Sequence, residues 1–387
     1  MTALAASTAL FILVDAGFNV IGPLWATRDL GLANADWAWL RAVAEFGGFV
    51  SILALGILAE HLGARWMSAL ALVGSGLALA GLGIGANTVA LMAVLGAFGS
   101  IIYVSFNTLA QRVSTRRQSL ANAIYRAAGA GAAIVAPALA TQAAAELGAY
   151  SPVLVAAAVV MGLAGLAIAG YPDVAPEQPR PRTLAENLAV YRHCFALGPL
   201  LSFIAVTRGF GIAIAAVGAF AALRFTRELG LGEPAFGLLC SIIAVGNLVA
   251  LLASGWIVDR LGPGRTLAFA WIGCSLAAVA LGLADSLAPA IVAYAVFVPL
   301  HGLCSVPLSL WSGRIVDGTG PGGPSQNAVF TVQKLFQSGV TMVAMAALAA
   351  LEPIVGMSAL IWGGGLLGLP MAYAMLRLDP PGKTGAA

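Results

Sequence analysis

The sequence has little charge. Asp, Glu, Lys and Arg make up only 9% of its 387 residues, whereas a soluble domain carries roughly 25%. Hydrophobic residues reach 60% and the mean hydropathy is +0.94. A soluble chain would need far more polar surface, and a disordered chain would have fewer apolar residues. The composition therefore excludes both classes and predicts an integral membrane protein.

The sequence also lacks the motifs of soluble function. The four cysteines are scattered without paired spacing, which excludes a disulfide scaffold and a cysteine metal site; they are Cys194, Cys240, Cys274 and Cys304. There is no catalytic nucleophile motif, phosphate-binding loop or basic patch with interleaved aromatic residues. We therefore expect no enzymatic activity, no cofactor, no metal and no nucleic-acid partner.

Apolar stretches of about 20 residues, the length that crosses a ~30 Å hydrocarbon core, recur along the chain. We predict helices, because backbone groups in lipid must form internal hydrogen bonds. The predicted spans are 6–27, 38–59, 67–86, 89–111, 119–145 and 151–171, and then 197–222, 235–258, 266–284, 288–311, 326–350 and 354–376. Between the two sets lies a proline-rich, charged segment. The predicted domains are therefore a six-helix bundle at 1–171, a linker at 172–195 and a second bundle at 196–387.

Basic residues predict the orientation in the membrane. One set of loops holds most of the Lys and Arg, and the other holds only Arg28, Arg41, Arg224 and Arg227. Because cytoplasmic loops are enriched in basic residues, both termini and the linker are predicted to be cytoplasmic. The expected location is the cell membrane, as a multi-pass protein of a bacterial inner membrane.

The two halves of the sequence resemble each other. GILAEHLGAR follows the second span and GWIVDRLGPGR follows the eighth, beginning at Gly56 and Gly255. A second match opens the fifth and eleventh spans, with Asn122-Ala123-Ile124-Tyr125 against Asn327-Ala328-Val329-Phe330. The offsets, 199 and 205 residues, are close enough to indicate an internal duplication.

At these loops the chain resembles the major facilitator superfamily, whose signature is roughly G-x-L-a-D-r-x-G-r-r. The chain departs from it at Glu60 and His61, where Asp and Arg are usual. The resemblance implies an all-α membrane fold of two six-helix bundles related by pseudo-two-fold symmetry around a central cavity. It also implies a conformational latch formed by Gly56, Glu60, Gly63, Arg65, Gly255, Asp259, Arg260, Gly262 and Arg265. Arg65 and Arg265 have an alternative role as positive-inside anchors.

Five charged residues lie inside predicted spans: Asp15, Glu45, Arg126, Arg208 and Lys334. Each costs at least ~2.5 kcal/mol at a helix centre, so each must be paired or hydrated. Asp15 and Glu45 are candidates for proton coupling, and LVDAGFNVIGP around Asp15 resembles the first helix of tetracycline-type drug/proton antiporters. The alternatives are a salt bridge from Asp15 to Arg126 or Arg208, and neutralisation of Glu45 by Arg41 one turn away.

The basic residues in the spans are candidate substrate ligands. Arg126, Arg208 and Lys334 come from both halves and could clamp an anionic group, since Arg binds carboxylate or phosphate in a bidentate manner. Alternatively, they neutralise Asp15 and Glu45. The polar residues Asn19, Asn107, Asn247 and His301 complete the candidate set, although His301 could instead serve helix packing.

We therefore expect a secondary transporter of a small anionic or zwitterionic organic solute, coupled to protons and working by alternating access as a monomer. A multidrug/proton antiporter is the first alternative. Asp15 favours it, but alanines replace the glycines after Pro137 and the fourth span lacks an arginine. The second alternative is a non-transporting assembly factor or sensor with the same fold.

Overall fold

The computed structural model describes residues 2–55, 58–112, 118–171, 192–308, 310–311 and 326–378. Over these residues the regular structure is helical. The first six helices are α1 (Thr2–Arg28), α2 (Asn34–Leu55), α3 (Leu58–Gly83), α4 (Thr88–Arg112), α5 (Gln118–Leu147) and α6 (Ser151–Ala169). They match the predicted spans, except that α1 begins earlier and α3 begins well before residue 67.

The second half continues with α7 (Gly198–Leu223) and a π-helical turn (Arg224–Glu228), then α8 (Glu233–Leu261), α9 (Pro263–Leu283) and α10 (Leu287–Leu303). The last helical run, Gln326–Arg377, is interrupted at Gly356, which has φ 79° and ψ 160°. We call its two parts α11 (326–355) and α12 (357–377). The described ranges thus contain twelve long helices, and the predicted all-α membrane fold is confirmed.

Composition makes these helices suitable for lipid. Ten helical stretches of the described residues are long and apolar enough to cross a membrane, with the last run counted once. Large apolar side chains lie on the outside, among them Ile354 at 76% exposure and Leu166 at 69%. Such surfaces are rare on soluble monomers. The helix α2 is also long enough to cross a membrane, with 22 residues, but it is more polar than these ten because it carries Asp36, Arg41 and Glu45.

The chain forms two compact units. The first contains α1 to α6 together with Gly232–Ser241, the beginning of α8; the second contains α7, the rest of α8 and the helices that follow. In the first unit, α1 packs on α5 and α6, α3 packs on α4 and α6, and α2 packs on α4. In the second, α9 packs on α10 and on the last helical run, which also packs on α7. The predicted linker is mostly outside the described residues, and the domain limits at 171 and 195 stay a prediction.

Glycine allows α2 and α4 to approach closely. A Cβ atom on Gly47 would collide with the carbonyl of Ala93, and one on Gly96 would collide with the carbonyl of Ala44. Small residues at such crossings let helix backbones pack tightly in lipid. This contact fixes the position of α2, the helix that carries Arg41 and Glu45.

The duplication is visible in the backbone. Gly63 (φ 76°, ψ 146°) at the kink of α3 and Gly262 (φ 79°, ψ 157°) before α9 adopt the same left-handed conformation, 199 residues apart. Gly31 (φ 67°) and Gly230 (φ 71°) form a second pair at the same offset. Only glycine adopts this region without strain, so both pairs mark equivalent turns of the two halves.

The second glycine pair lies in a third short sequence repeat of the two halves. Residues 27–32 read TRDLGL and residues 226–231 read TRELGL. In the first half, the Asp29 carboxylate accepts hydrogen bonds from the backbone N–H groups of Tyr150 (2.8 Å) and Ser151 (2.7 Å), at the start of α6. In the second half, Glu228 accepts a hydrogen bond from the Ser358 hydroxyl (3.0 Å), at the start of α12. The same acidic position therefore binds the beginning of the sixth helix of each half.

Candidate functional site

Asp15 lies at the middle of α1. It is thirteen residues from each end of the helix, about 20 Å at 1.5 Å per residue. In the predicted span 6–27 it lies nearer the start, because the helix begins four residues earlier, at Thr2. Its side chain is exposed and accepts a hydrogen bond from Asn19 Nδ2 at 3.2 Å. A carboxyl group is therefore accessible at mid-span.

Asn19 connects Asp15 to a second helix. Its Oδ1 accepts a hydrogen bond from Arg41 Nη1 of α2 at 3.3 Å. The guanidinium carbon of Arg41 lies 6.0 Å from the centroid of the Trp37 ring. Asp15, Asn19 and Arg41 therefore form a polar track, the name we use for these three residues, along α1 and α2.

Arg41 is a functional candidate that sequence reasoning missed. The charge distribution predicts a loop position for it, but it lies seven residues inside α2. Glu45 is half-buried one turn further on, and the structure shows no ion pair between these two described side chains. The neutralisation of Glu45 by Arg41 stays a prediction. The signal for Arg41 was its position inside the predicted span 38–59.

The predicted basic clamp is described in part. Arg208 lies in α7 and Lys334 in α11, and both side chains are half-buried. The backbones of Arg126 and Asn107 belong to α5 and α4, and their side chains are outside the described set. A substrate clamp formed by these residues stays a prediction.

Asn247 and the segment around His301 come together in the second unit. Asn247 Oδ1 of α8 lies against Gly302 of α10 so closely that a Cβ atom on Gly302 would collide with it. The His301 ring is exposed and stacks on the Phe297 ring, with centroids 6.0 Å apart and an interplanar angle of 9°. Asn247 thus contacts the residue next to His301, whereas the His301 ring contacts Phe297 of its own helix.

The predicted latch residues form helix ends and ring contacts. Arg65 donates a hydrogen bond to the carbonyl of Ala169 at the end of α6, and its guanidinium carbon lies 4.8 Å from the Trp66 ring centroid. Arg260 is similarly placed over Trp256 at 3.9 Å. Arg65 therefore holds α3 to α6.

The other predicted latch residues differ in exposure. Asp259 and Arg265 are exposed, and Gly255 is half-buried within α8; Gly56 and the Glu60 side chain are outside the described residues. The latch function stays a prediction.

A further charged cluster lies at the end of α1. Arg28 Nη1 is 2.8 Å from Glu233 Oε2, and the Tyr150 hydroxyl donates a hydrogen bond to the same oxygen at 2.7 Å. Arg28 also donates to the carbonyl of Gly148 at 3.3 Å. Burial raises the pKa of Tyr150 and its hydrogen bond to Glu233 raises it further, so the phenol remains a donor at neutral pH. We call these three side chains the ionic cluster.

Close packing of α5 on the start of α8 accompanies the ionic cluster. A Cβ atom on Gly237 would collide with Thr141 Oγ1, and Ser241 Oγ accepts a hydrogen bond from the N–H of Ala138 at 3.1 Å. The contact involves the turn after Pro137, where alanines replace the glycines of the antiporter motif. Beside it is a groove of about 530 Å³ that includes Gln142 and Glu146.

These features define a class of protein. A duplicated bundle of membrane-spanning helices, with charged residues in the middle of its spans, is the construction of a secondary transporter. Residues 4–322 match the model of the Major Facilitator Superfamily, and the chain belongs to this family. It is therefore a multi-pass membrane transporter of a small molecule and not an enzyme, as the sequence predicted.

Solved structures of similar fold agree with this assignment. The nucleoside transporter NupG has a TM-score of 0.72 at 13% identity, over 97% of this chain and 98% of that one. An aspartate-to-alanine mutant of NupG gives a TM-score of 0.76 at 13% identity, over 97% and 99%. A D-xylose–proton symporter gives 0.76 at 15% identity, over 99% and 98%. No curated protein matches the chain by sequence.

Proposed function

We propose that the chain couples proton movement to the transport of a small anionic or zwitterionic organic solute by alternating access. The observation that carries this proposal is the accessible carboxyl group of Asp15 at the middle of α1, hydrogen-bonded through Asn19 to Arg41. A carboxyl group at this depth is retained at a free-energy cost, which marks a functional group.

Asp15 is the proposed proton carrier. It can accept a proton in one conformation and release it in the other. The hydrogen bonds of Asn19 connect the charge on Asp15 to Arg41 of α2. Glu45, half-buried on α2, is a second candidate. The similar fold of a D-xylose–proton symporter supports this proposal, because that protein's name describes proton symport on the same fold.

Basic residues are the proposed contacts of the solute. Arg208, Lys334 and Arg126 carry positive charge in membrane spans, and they suit a carboxylate or phosphate group. Polar contacts are assigned to Asn19, Asn107, Asn247 and His301. We further propose that the protein is a monomer in a bacterial inner membrane, with both termini in the cytoplasm.

The test uses purified protein reconstituted in liposomes with a panel of radiolabelled organic acids, amino acids and sugars. We expect uptake of an acidic or zwitterionic solute to follow an imposed pH gradient in the wild type and to lose this dependence in Asp15→Asn. Arg208→Ala and Lys334→Ala should weaken the apparent affinity for the solute. Solute flux that ignores the gradient and is unchanged in Asp15→Asn would refute proton coupling through this residue.

A multidrug or antibiotic/proton antiporter is the second candidate. Asp15 followed by Pro23 within α1 favours it, and both residues lie in one continuous helix. Deletion of the gene followed by susceptibility tests on a broad drug panel distinguishes the two: unchanged susceptibility to every compound counts against efflux.

A further inference from the structure

Arg41 has the properties of a ligand-binding arginine. Among the described residues no carboxylate lies within 4 Å of its guanidinium. Its one hydrogen bond to a described group goes to Asn19, a neutral amide. The side chain is only half-buried, so further N–H groups are open to a ligand. An arginine within a membrane span has a high free-energy cost unless its charge is paired or hydrated. A bound anion from outside the chain would supply the negative charge that pairs with Arg41.

The aromatic ring nearest to Arg41, that of Trp37, is buried and closely packed. Trp37 is buried at 1% exposure and its ring packs edge-on against Phe18, with centroids 6.1 Å apart. A Cβ atom on Gly22 would lie 2.5 Å from the Trp37 ring, so α1 packs directly on the indole. An arginine over an aromatic ring keeps its planar donors presented to a carboxylate or phosphate.

We propose that Arg41 binds the anionic group of the solute, and that Asn19 links this binding site to the charge on Asp15. The inference rests on the proposed function and assigns it a binding residue on α2. A carboxylate, phosphate or similar small anion would form bidentate hydrogen bonds with the guanidinium.

The hydrogen bonds of Asn19 give the direction of coupling. Asn19 donates to Asp15 and accepts from Arg41, so ionised Asp15 holds the amide that engages Arg41. Protonation weakens the bond from Asn19, because charge-assisted hydrogen bonds are the stronger ones. It also removes a negative charge near the incoming anion. Proton and anion therefore favour each other's binding, and the coupling is reciprocal.

Other ionisable groups could contribute to a pH dependence. Away from the helix ends, the helices packed against α1 and α2 carry Glu45 on α2, Tyr103 on α4 and Arg126 on α5, while α6 carries none. The helix α3, which also contacts α2, carries Glu60, His61 and Arg65 in its first turns. Glu45 is the closest to Arg41 along α2. The experiment therefore includes Glu45→Gln, and loss of the pH dependence of anion binding in this variant would overturn the coupling to Asp15.

The test measures binding without knowledge of the physiological solute. Acetate, benzoate and inorganic phosphate are titrated against purified protein by thermal shift, at about pH 7.5 and about pH 5.5, because a ligand stabilises in proportion to its occupancy. Benzamide serves as the neutral counterpart of benzoate. We expect at least one anion to bind the wild type, more tightly at the lower pH, and benzamide to have no effect.

The variants separate the roles. Arg41→Gln should weaken anion binding by about tenfold or more, and Arg41→Lys should weaken it less, because a bidentate charge-assisted contact is lost. Asp15→Asn should bind the anion at the higher pH as tightly as the wild type does at the lower pH. Arg227→Gln, at an exposed arginine outside the polar track, is the matched control and should leave binding unchanged.

The outcomes distinguish this inference from the proposed function. Anion binding that is unchanged in Arg41→Gln, or the lack of stabilisation of the wild type by all three anions, overturns the binding site. If Arg41→Gln binds normally but Asp15→Asn still abolishes gradient-driven uptake, the inference fails and the proposed function stands. If Arg41→Gln loses binding but uptake ignores the pH gradient, the anion site stands and proton coupling fails.

Discussion

At the scale of single residues, the polar track shows how a charged side chain is accommodated in a membrane span. Asp15 and Asn19 are one turn apart on α1, and Arg41 reaches Asn19 from α2. The amide in the middle can donate to the carboxylate and accept from the guanidinium at once. Asn19 thus places the carboxylate of Asp15 and the guanidinium of Arg41 in one hydrogen-bonded series across two helices.

Tyr150 provides a prediction at the same scale. Its pKa in the folded protein is raised by burial and by Glu233, so the folded state holds the phenolic proton more tightly than the unfolded state does. This contribution to stability is complete below the unfolded pKa of about 10 and is lost as pH rises above it. Tyr150→Phe should destabilise the protein by about 1–2 kcal/mol at neutral pH, through the lost hydrogen bond to a carboxylate.

Thermal unfolding in detergent, from about pH 8 to about pH 11, measures this effect across the tyrosine titration. The difference between wild type and Tyr150→Phe should shrink in the alkaline range. A difference that is constant over the whole range, or absent at neutral pH, would contradict the role of the phenol.

At the scale of helices, Arg224 holds the end of α9. It is 4% exposed and donates hydrogen bonds to the carbonyls of Leu281 (3.2 Å), Gly282 (3.1 Å) and Ala284 (2.7 Å). It also pairs with Glu228 at 2.5 Å. Helix ends leave carbonyl groups without partners, and this guanidinium binds several of them.

Arg224→Met should therefore destabilise the protein by about 1–3 kcal/mol, the usual cost of leaving buried hydrogen-bond acceptors without a donor, because the partner carboxylate of Glu228 is itself exposed. Arg224→Lys should recover part of the loss, because an ammonium group keeps the charge without the planar fork. Arg227→Met, at an exposed arginine three residues away, should destabilise the protein much less, because an exposed side chain keeps its hydration when the fold opens. Equal melting temperatures for the Arg224 and Arg227 variants would be inconsistent with this account.

The crossing of α2 and α4 gives a second prediction at this scale. Gly96→Ala would place a Cβ atom against the carbonyl of Ala44, whereas Gly99→Ala, on the same helix, meets nothing within 4 Å. We expect Gly96→Ala to lower stability by about 1–3 kcal/mol through overpacking. Gly99→Ala should be neutral or stabilising by up to about 1 kcal/mol, because alanine is the better helix former. Thermal unfolding of the two variants, measured side by side, tests this prediction. A Gly96→Ala variant more stable than the wild type would show that α2 and α4 are not closely packed at this crossing.

The sequence was sufficient to predict the twelve helices because hydrophobic length is a local property. It also indicated the turns at Gly63 and Gly262, which repeat within a recognisable motif. It could not predict that Arg28 pairs with Glu233, 205 residues away, or that Asn19 connects Asp15 to Arg41. Those contacts depend on how each helix is rotated about its axis, which apolar composition alone does not determine.

At the scale of the whole molecule, the duplication separates structural residues from candidate functional ones. The turn glycines and the acids Asp29 and Glu228 have counterparts at an offset of 199 residues. The polar track has none: at the same offset, Asp15, Asn19 and Arg41 correspond to Ile214, Gly218 and Cys240. Charged residues that the fold itself required would be expected in both halves of a duplicated chain. Because the polar track occurs in the first half alone, this asymmetry supports a functional role for the track.

The most direct test of proton-coupled transport follows the proton itself. Liposomes containing the protein and a trapped pH-sensitive dye receive the solute identified in the uptake panel, without an imposed gradient. The account predicts that solute movement changes the internal pH in the wild type and not in Asp15→Asn, while protein-free liposomes control for passive diffusion. Solute uptake by the wild type with no change in internal pH, or an equal change in Asp15→Asn, would contradict it.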